Sequence, residues 1–370
     1  MSNRQPASLE DLLRLHLAAG ISGALFDTLV AHFGSVGGLL EASMGELSEC
    51  GLCSPAVVRR IASARSVEPG AELKKVSAAG ARVVGWGSAE YPANLRFIFD
   101  PPLVLYVMGT LRAEDMLAVA VVGSRRCSAY GRGMSERLAG ELASRGFTVV
   151  SGLAQGIDAA AHRGALRSGG RTLAVLGSGL ACIYPPENRA LAEEVAQSGA
   201  VLSELPMEAE PDRWNFPARN RLISGLSLGV VVVEAARQSG ALITARWAAE
   251  QGREVFAVPG QAGSPMAQGP HALLRDGAHL VECTEDVLDG LGPLPEAFQS
   301  VHGQRIQDVR ALPLSDNEQA VLRTLGTEPK HIDQIIEESG LEASAVASTL
   351  LMLEVKRAVV QHPGKTFTRL

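Results

Sequence analysis

Residues 117–128 read LAVAVVGSRRCS, a run of small and β-branched apolar residues followed by a Gly-Ser turn and two arginines. From here onward such runs alternate with amphipathic stretches, which is typical of βαβ units and a parallel sheet. The predicted strands are Leu117–Val122, Phe147–Ser151, Thr172–Leu176, Ala200–Ser203, Gly229–Val233 and Glu254–Val258, with helices near residues 131–145, 157–168, 187–197 and 241–251. We expect an α/β fold with a doubly wound parallel sheet, in which ligands bind outside the carboxyl ends of the strands.

The predicted strand ends resemble one another, because glycines, small hydroxyl residues and arginines recur there. Glycine lets backbone amides approach an anion, a following helix N-terminus adds its dipole, and arginine adds a bidentate charge. Five such loops at one edge of the sheet suit a row of phosphates better than a single mononucleotide. The candidate phosphate-binding residues are Gly123, Ser124, Arg125, Arg126, Ser151, Gly152, Gln155, Gly156, Asn188, Arg189, Arg219, Asn220, Arg221, Ser239 and Gly240.

Four of these candidates are arginines that we expect in two strand-end loops: Arg125, Arg126, Arg219 and Arg221. They would repel one another without an anion between them, whereas any single Gly-Ser turn is explained by tight βα geometry. The chain has a net charge of −6, which argues against a uniformly basic DNA-binding surface. Residues 86–290 contain 18 basic residues, all of them arginine, and 22 acidic ones. A local arginine cluster would therefore concentrate positive potential in one groove.

Other chemistries of an open α/β sheet have weaker support in the sequence. A dinucleotide fingerprint fails at Gly177–Gly179, because Cys182 takes the place of the third glycine. The string Gly225–Gly229 matches GxSxG, but a strand follows it where a nucleophile elbow needs a helix. Asp158 and His162 are spaced for an acid–base pair, although a helix-capping Asp and a hydrogen-bonded core His explain them more simply. We predict no catalytic residue, no cofactor and no metal.

Composition and cysteine usage favour a cytoplasmic protein. Hydrophobic residues make up 46% of the 370, enough for the cores of two or three domains. The five cysteines are scattered, and the lone CxxC pair of Cys50 and Cys53 lacks the second pair of a zinc ribbon, so reduced thiols are expected. The first residues lack the apolar stretch of a signal peptide, and the apolar run near Val230–Val233 is too short to span a bilayer. We therefore expect no membrane association.

An all-α segment and a linker flank the predicted sheet domain, which spans residues 81–290. Residues 1–80 twice repeat helix, Gly-apolar-x-small hairpin and helix, similar to a helix-hairpin-helix (SAM-like) domain. Such hairpins bind DNA phosphates through helix N-terminal amides, so duplex DNA is a candidate partner of residues 15–60. The alternative is a small bundle whose hairpins only turn the chain. Residues 291–312 are polar and punctuated by Pro and Gly, as in a linker.

Residues 313–370 predict a winged helix. Its helices are expected at Asp316–Thr324, Ile332–Glu338 and Ala343–Leu353, and its strands at Ala358–Gln361 and Thr366–Arg369. The third helix occupies the position of a recognition helix, yet it has no Arg, Lys, Asn or Gln with which to address base edges. A protein contact or support of a dimer is therefore the expected role of this domain.

Ordered strings across residues 83–283 resemble the DprA/Smf family of DNA-processing proteins. They include Tyr91-Pro92, Asp100-Pro101-Pro102, Val122-Gly123-Ser124-Arg125, Ser151-Gly152-Leu153-Ala154, Gly156-Ile157-Asp158, Phe216-Pro217-Ala218-Arg219-Asn220-Arg221, Ser239-Gly240-Ala241-Leu242-Ile243-Thr244-Ala245 and Val258-Pro259-Gly260. The resemblance implies an extended Rossmann-like domain that binds single-stranded DNA without sequence preference, forms a homodimer and delivers the coated strand to the RecA recombinase. The family's DNA groove maps onto the strand-end loops above. Gln155 departs from the basic residue often found there, and Trp214 and Phe216 are the candidate stacking aromatics.

The function expected from the sequence is therefore that of a cytoplasmic mediator of recombination, not an enzyme. It would bind and protect single strands and load RecA during natural transformation and homologous recombination, as a homodimer whose contact surface includes residues 272–274 and Leu280-Val281. The alternative is a nucleotide-binding, phosphoribohydrolase-like enzyme on the same Rossmann-like fold. That enzyme group carries a Pro-Gly-Gly-x-Gly-Thr loop before a catalytic Glu, and Ser239–Thr244 stands at the corresponding place without that loop.

Overall fold

A computed structural model describes residues 8–292, 315–326, 329–355, 358–362 and 365–369 of the protein. The chain divides into two compact units, Met1–Gly290 and Leu291–Leu370. The predicted linker, residues 291–312, lies outside the described residues apart from its first two positions. The boundary predicted near residue 80 falls within the first unit, and the division into four segments stays a prediction.

The first unit begins with short helices, as the repeated helix-hairpin-helix pattern predicts. They are α1 (Leu9–Ala19), α2 (Gly23–Phe33), α3 (Val36–Glu41), α4 (Met44–Glu49), α5 (Pro55–Ser63) and α6 (Gly70–Ala78). Serine side chains cap the first five of these helices by accepting a backbone N–H of the first turn. The chain turns between α1 and α2, and between α4 and α5, at the two predicted hairpins.

In the described part of this unit, nine strands form one sheet. They are β1 (Arg82–Gly85), β2 (Val104–Gly109), β3 (Ala118–Val122), β4 (Thr148–Ser151), β5 (Thr172–Val175), β6 (Ala200–Ser203), β7 (Gly229–Val232), β8 (Glu254–Ala257) and β9 (His279–Leu280). Their order is β1-β2-β6-β5-β4-β3-β7-β8-β9, with β3 to β9 parallel and β1 and β2 antiparallel at one edge. The chain leaves β3 in one direction through β4, β5 and β6, and returns to its other side at β7. The prediction of a doubly wound parallel sheet is confirmed.

The six predicted strands each match an observed one, while β1, β2 and β9 were not predicted. The central strands β3 to β7 are buried along their whole length, as expected for a parallel sheet covered on both faces. Val119 pairs with Gly229 where β3 meets β7, so the two halves of the sheet join there. This junction is the topological switch point, the usual ligand position of such folds.

The helices that cover the sheet are α7 (Ala129–Ser144), α8 (Ile157–Arg167), α9 (Arg189–Ser198), α10 (Asn215–Leu226), α11 (Ala241–Glu250), α12 (Gln268–Arg275) and α13 (Thr284–Leu291). Helix α10 corrects the sequence analysis, which placed Phe216–Arg221 in a strand-end loop. Pro217 is compatible with this helix because it stands in the first turn, where its missing N–H needs no intrahelical acceptor. Residues 219–226 of α10 are all buried.

The first hairpin of the helical segment packs against the sheet. Gly23 donates its amide to Pro101 O at 2.8 Å, and Ser22 forms an isolated antiparallel bridge with Pro102. A Cβ atom at Gly23 would lie 2.4 Å from the Trp86 ring, so only glycine allows this approach. Since its amide and its surface are engaged within the chain, this hairpin is a poorer candidate for a duplex phosphate than the hairpin at Cys50–Ser54.

The second unit is a winged helix, as predicted. It contains α14 (Asp316–Thr324), β10 (Lys330–His331), α15 (Ile332–Ser339), α16 (Ala343–Val355), β11 (Val359–His362) and β12 (Thr366–Arg369). The strands form an antiparallel sheet in the order β10-β12-β11. Side chains from all three helices and from the β11–β12 hairpin share its core, among them Val321, Ile335, Leu350 and Phe367.

Among the described residues, no helix combines the length and the hydropathy that crossing a membrane requires.

Candidate nucleic-acid interface

A cleft of about 220 Å³ opens at the switch point, outside the carboxyl ends of β3 and β4 and between α10 and α11. Six of the predicted phosphate-binding residues line it: Gly123, Arg125, Arg219, Asn220, Ser239 and Gly240. The fold thus brings together residues that lie more than a hundred positions apart in the chain. Because the cleft lies where the strand order reverses, it is the position at which this fold class binds ligands.

Arg125 forms the charged mouth of the cleft. Its side chain is exposed, and its guanidinium carbon lies 5.2 Å from the centroid of the Phe216 ring. This cation–π contact orients the guanidinium while leaving its hydrogen-bond donors available to a ligand. Arg126 and Arg189 are also exposed. Three of the predicted arginines therefore present their charge to solvent.

Aromatic side chains continue from the mouth of the cleft along the surface. The Tyr184 and Phe216 rings lie 5.7 Å apart, and Trp214 is 70% exposed with the Arg213 guanidinium 4.8 Å from its ring centroid. The sequence analysis named Phe216 and Trp214 but missed Tyr184. Tyr184 could have been found from the sequence, because it precedes a proline in the segment that follows the predicted strand β5. Exposed rings beside arginines are the usual platform for the unpaired bases of a single strand.

Arg219 lies on the floor of the cleft, where its side chain is buried. Its guanidinium donates to the carbonyl oxygen of Gly152 at 3.0 Å and to that of Val175. Asp158 is buried against the same glycine and accepts its amide at 3.2 Å. A Cβ atom at Gly152 would lie 2.6 Å from the guanidinium and 2.8 Å from the carboxylate, so this arrangement requires glycine.

Burial shifts the pKa of both ionisable groups on the cleft floor. Burial lowers the pKa of Arg219 to about 10, which still leaves the guanidinium protonated at neutral pH. Burial raises the pKa of Asp158, but Arg219 and three backbone amides act in the opposite direction by stabilising the carboxylate. The cleft floor therefore holds a protonated guanidinium beside a buried carboxyl group that accepts the Gly152 amide.

Arg221 is held by carboxylates of the protein itself. Two of its nitrogens donate to the two oxygens of Glu204 at 2.6 and 2.8 Å, and its Nε lies 3.5 Å from the Asp100 carboxylate. Its side chain is only 10% exposed. Arg219 and Arg221 therefore do not need the external anion inferred from the sequence, because backbone carbonyl oxygens hold Arg219 and the Glu204 carboxylate pairs with Arg221.

Several backbone amides of the Gly-rich turns are also occupied. Asp158 accepts the amides of Gly123, Gly152 and Ala154, and Ser124 donates its amide to Glu234 O at 2.6 Å. The sequence analysis expected these amides to receive phosphates, and that expectation is wrong for the amides named here. The exposed positive charge beside the cleft therefore lies on side chains at its mouth, such as Arg125.

Some of the remaining predicted residues are hydrogen-bonded within the protein, and others are at least partly exposed. Three have side chains committed to carbonyl oxygens: Ser151 to Val121, Asn188 to Leu153, and Asn220 to Gly240. Gln155 is exposed and Gly156 is half-buried. Gly156 has a φ of 80° and passes so close to Ser124 O that a Cβ would lie 2.3 Å from it, so this turn also needs glycine.

Asp158 and His162 are both buried, and the expected helix cap is wrong, because Asp158 accepts the Gly152 amide and does not cap α8. His162 is a core residue that bonds through Nδ1, whereas its Nε2 has no partner among the described residues. Thr172 Oγ1 donates to Val149 O at 2.8 Å and lies 2.7 Å from His162 Nδ1. Because its own proton is used for Val149, its oxygen accepts a hydrogen bond from a protonated His162 Nδ1. Burial lowers the pKa of His162 to about 3, which keeps the ring neutral. Among the described residues, no group of three or more His, Cys, Asp or Glu side chains is placed to hold a metal ion.

The sheet order and the cleft lined by arginine and aromatic side chains define a Rossmann-like protein with a cleft at its switch point. The family model described as "DNA recombination-mediator protein A" matches residues 82–292, and the model "DprA winged helix domain" matches residues 307–365. The chain belongs to the DprA/Smf family of DNA-processing proteins.

Individual relatives agree with this assignment. The chain is 45% identical to Protein Smf of Escherichia coli over 280 residues, which cover 74% of each chain. It is 44% identical to DNA processing protein DprA of Bacillus subtilis over 214 residues, which cover 57% of this chain and 72% of that one. An X-ray structure of DprA from Streptococcus pneumoniae superposes with a TM-score of 0.66 at 35% identity, covering 77% of this chain and 98% of that one. DNA processing protein A from Helicobacter pylori, whose structure concerns its single-stranded DNA binding mode, gives a TM-score of 0.51 at 31% identity, over 57% and 95% of the two chains.

We predict that Arg221→Ala lowers the free energy of unfolding by about 3 kcal/mol, because Glu204 would stay largely buried without its counter-charge. Urea denaturation followed by circular dichroism measures this loss. Arg126→Ala, which removes an exposed arginine of the same candidate set, is the matched control and should change stability by less than about 0.5 kcal/mol. An Arg221→Ala protein as stable as the control would show that the Glu204 pair does not support the fold.

The stability of the protein should fall as the pH is lowered from about 6.5 towards 3, in part because of His162. Its pKa is lower in the folded protein than in the unfolded chain, so below about pH 6.5 the unfolded chain binds the extra proton. At pH 5 this group alone should cost about 2 kcal/mol relative to pH 7. Urea titrations at both pH values should show a smaller difference for His162→Gln than for the unmodified protein; equal differences would contradict the assignment.

Proposed function

We propose that the protein is a sequence-independent single-stranded DNA-binding protein that protects incoming or recombining strands. In this proposal it also loads the RecA recombinase during natural transformation and homologous recombination, and it is not an enzyme. The observation that carries the proposal is the pairing of Arg125 with the Phe216 ring at the mouth of the switch-point cleft. Family membership and the single-strand binding mode described for the Helicobacter pylori protein support it.

The proposed binding mode is led by side chains. Arg125 and Arg126 contact the phosphates of the strand. Arg125 lines the cleft, Arg126 is the next residue in the chain, and both are exposed. Neither forms an ion pair within 4 Å with a carboxylate of the described residues. Bases stack on Trp214 and Tyr184, whose rings are exposed. Every base has a π-face and every nucleotide a phosphate, so such a site tolerates any sequence.

A single strand fits these features better than a duplex. Stacking on Trp214 and Tyr184 needs bases that are unpaired and can turn away from their neighbours, which a duplex does not offer. Duplex contact through residues 15–60 stays a separate prediction, now resting on the hairpin at Cys50–Ser54 rather than on the one that packs against Trp86.

The partners proposed beyond DNA are a second copy of the chain and RecA. For the homodimer, β9 is the last strand of the sheet on its side, and Leu280 within it is 49% exposed, so it offers backbone groups and an apolar side chain to another copy. Val281, which the sequence analysis included in this surface, is buried and would not take part. The five unpaired cysteines support a reducing compartment, and we propose the cytoplasm.

Arg125→Ala should weaken binding of a labelled oligothymidine of about 30 nucleotides roughly tenfold at low salt and lower the salt slope by about 0.7. Both effects follow from the loss of one phosphate contact. Fluorescence anisotropy at several salt concentrations measures affinity and slope together.

The matched control is Arg145→Ala, which removes an exposed arginine from the other end of α7, about 24 Å along the helix. It should bind like the unmodified protein. Equal weakening in both variants would show that the loss of overall positive charge causes the effect. Undiminished binding by Arg125→Ala would contradict the proposed contact.

A further inference from the structure

Glu234 follows β7, and both its side chain and its backbone accept hydrogen bonds from the loop that carries the exposed arginines. Its two carboxylate oxygens accept the Ser128 amide at 2.8 Å and the Ser128 hydroxyl at 2.5 Å, and its carbonyl oxygen accepts the Ser124 amide at 2.6 Å. The loop 123–128 is therefore fastened near both of its ends to one residue from the neighbouring strand. Arg125 and Arg126 lie between these two attachments.

The Glu234 carboxylate occupies the N-terminus of α7, the 16-residue helix that follows β3. Ser128 is the N-cap of that helix and also accepts the Gly131 amide at 3.0 Å. A Cβ atom at Gly131 would lie 2.4 Å from the carboxylate carbon, so glycine at this position makes room for the acid. With 7% of its surface exposed, Glu234 faces inward and leaves the cleft to other residues.

The N-terminus of the helix that follows such a strand favours a bound anion. In doubly wound sheets the turn between the first strand at the switch point and its helix binds the phosphate of a nucleotide, using the helix dipole and the free amides of the first turn. A carboxylate satisfies the same groups, since it carries negative charge and two acceptor oxygens. Asp158 makes the corresponding contacts to the turn that precedes α8.

We infer that Glu234 is a positioning residue that fills, with its own carboxylate, the place of a bound phosphate at the N-terminus of α7. It thereby fixes the Arg125–Arg126 loop in the form that receives a DNA strand, and it excludes the phosphate of a free nucleotide from this turn. The inference rests on the proposed function for its first part and on the geometry of the turn for its second.

The test compares Glu234→Ala with Glu234→Gln. Glutamine fills the same space, accepts the Ser128 amide through its oxygen and donates to the Ser128 hydroxyl, so it should keep oligothymidine affinity within about threefold. Alanine empties the position and should weaken the affinity roughly tenfold, because the loop loses the carboxylate that binds Ser128, the N-cap of α7.

A small anion should then repair the alanine variant. Inorganic phosphate or acetate at about 20 mM, with chloride adjusted to constant ionic strength, should raise the melting temperature of Glu234→Ala and restore part of its oligothymidine affinity. Neither anion should do so for the unmodified protein or for Glu234→Gln. A purely structural role would give the loss in Glu234→Ala without this anion-specific recovery, and that result would overturn the inference.

The outcomes also separate this inference from the proposed function. If the unmodified protein fails to bind oligothymidine while Glu234→Ala still gains a phosphate-dependent rise in melting temperature, the proposed function fails and the phosphate-mimicking role stands. If the unmodified protein binds and Glu234→Ala binds equally well, the positioning role fails. Should Glu234→Ala not fold in chloride alone, refolding in phosphate but not in chloride supports the inference, and failure in both overturns it.

Discussion

The site depends on two buried side chains, Arg219 and Asp158, that both bind Gly152 at the ends of the central strands. Arg219 reaches from α10 to the carbonyl oxygens that end β4 and β5, while Asp158 gathers amides from the turns after β3 and β4. Three strand ends and two helices are thus tied at one point. Removing either side chain would leave buried backbone groups without their hydrogen-bond partners, which is costly in a protein interior.

This arrangement decides how the protein can meet a polyanion. Other nucleotide-binding folds offer the amides of their Gly-rich turns to phosphate, whereas here the Gly152 amide is bonded to Asp158 and the Ser124 and Ser128 amides to Glu234. Positive charge for a ligand comes instead from arginines on the rim, of which Arg125 is oriented by Phe216. A net charge of −6 is compatible with this, because a few exposed guanidinium groups at one cleft set the local potential whatever the sum over the chain.

The six predicted strands could be recognised in the sequence because each is a short, mainly apolar run that contains Val, and burial on both faces of the central strands favours that composition. The edge strands could not, since β9 has only two residues and both are exposed. Helix α10 was missed because Pro217 and three polar residues within 219–221 look like a loop, and only tertiary packing shows that they are buried.

The same limit applies to the arginines of the candidate site. Arg125 and Arg221 look equivalent in the sequence, yet one is exposed beside a ring and the other is enclosed by Glu204. The pairing joins residues from different strand ends, so no local pattern reveals it. A carboxylate directly after a predicted strand, as Glu204 is after β6, was the signal that an arginine partner could lie nearby.

The most direct test is a crystal structure of the protein with a short oligothymidine. The account predicts phosphates within hydrogen-bonding distance of Arg125 and Arg126, bases stacked on Trp214 or Tyr184, and Glu234 still bonded to Ser128. A strand whose phosphates are bound by the amides of the turns after β3 and β4, with Asp158 or Glu234 displaced, would contradict it.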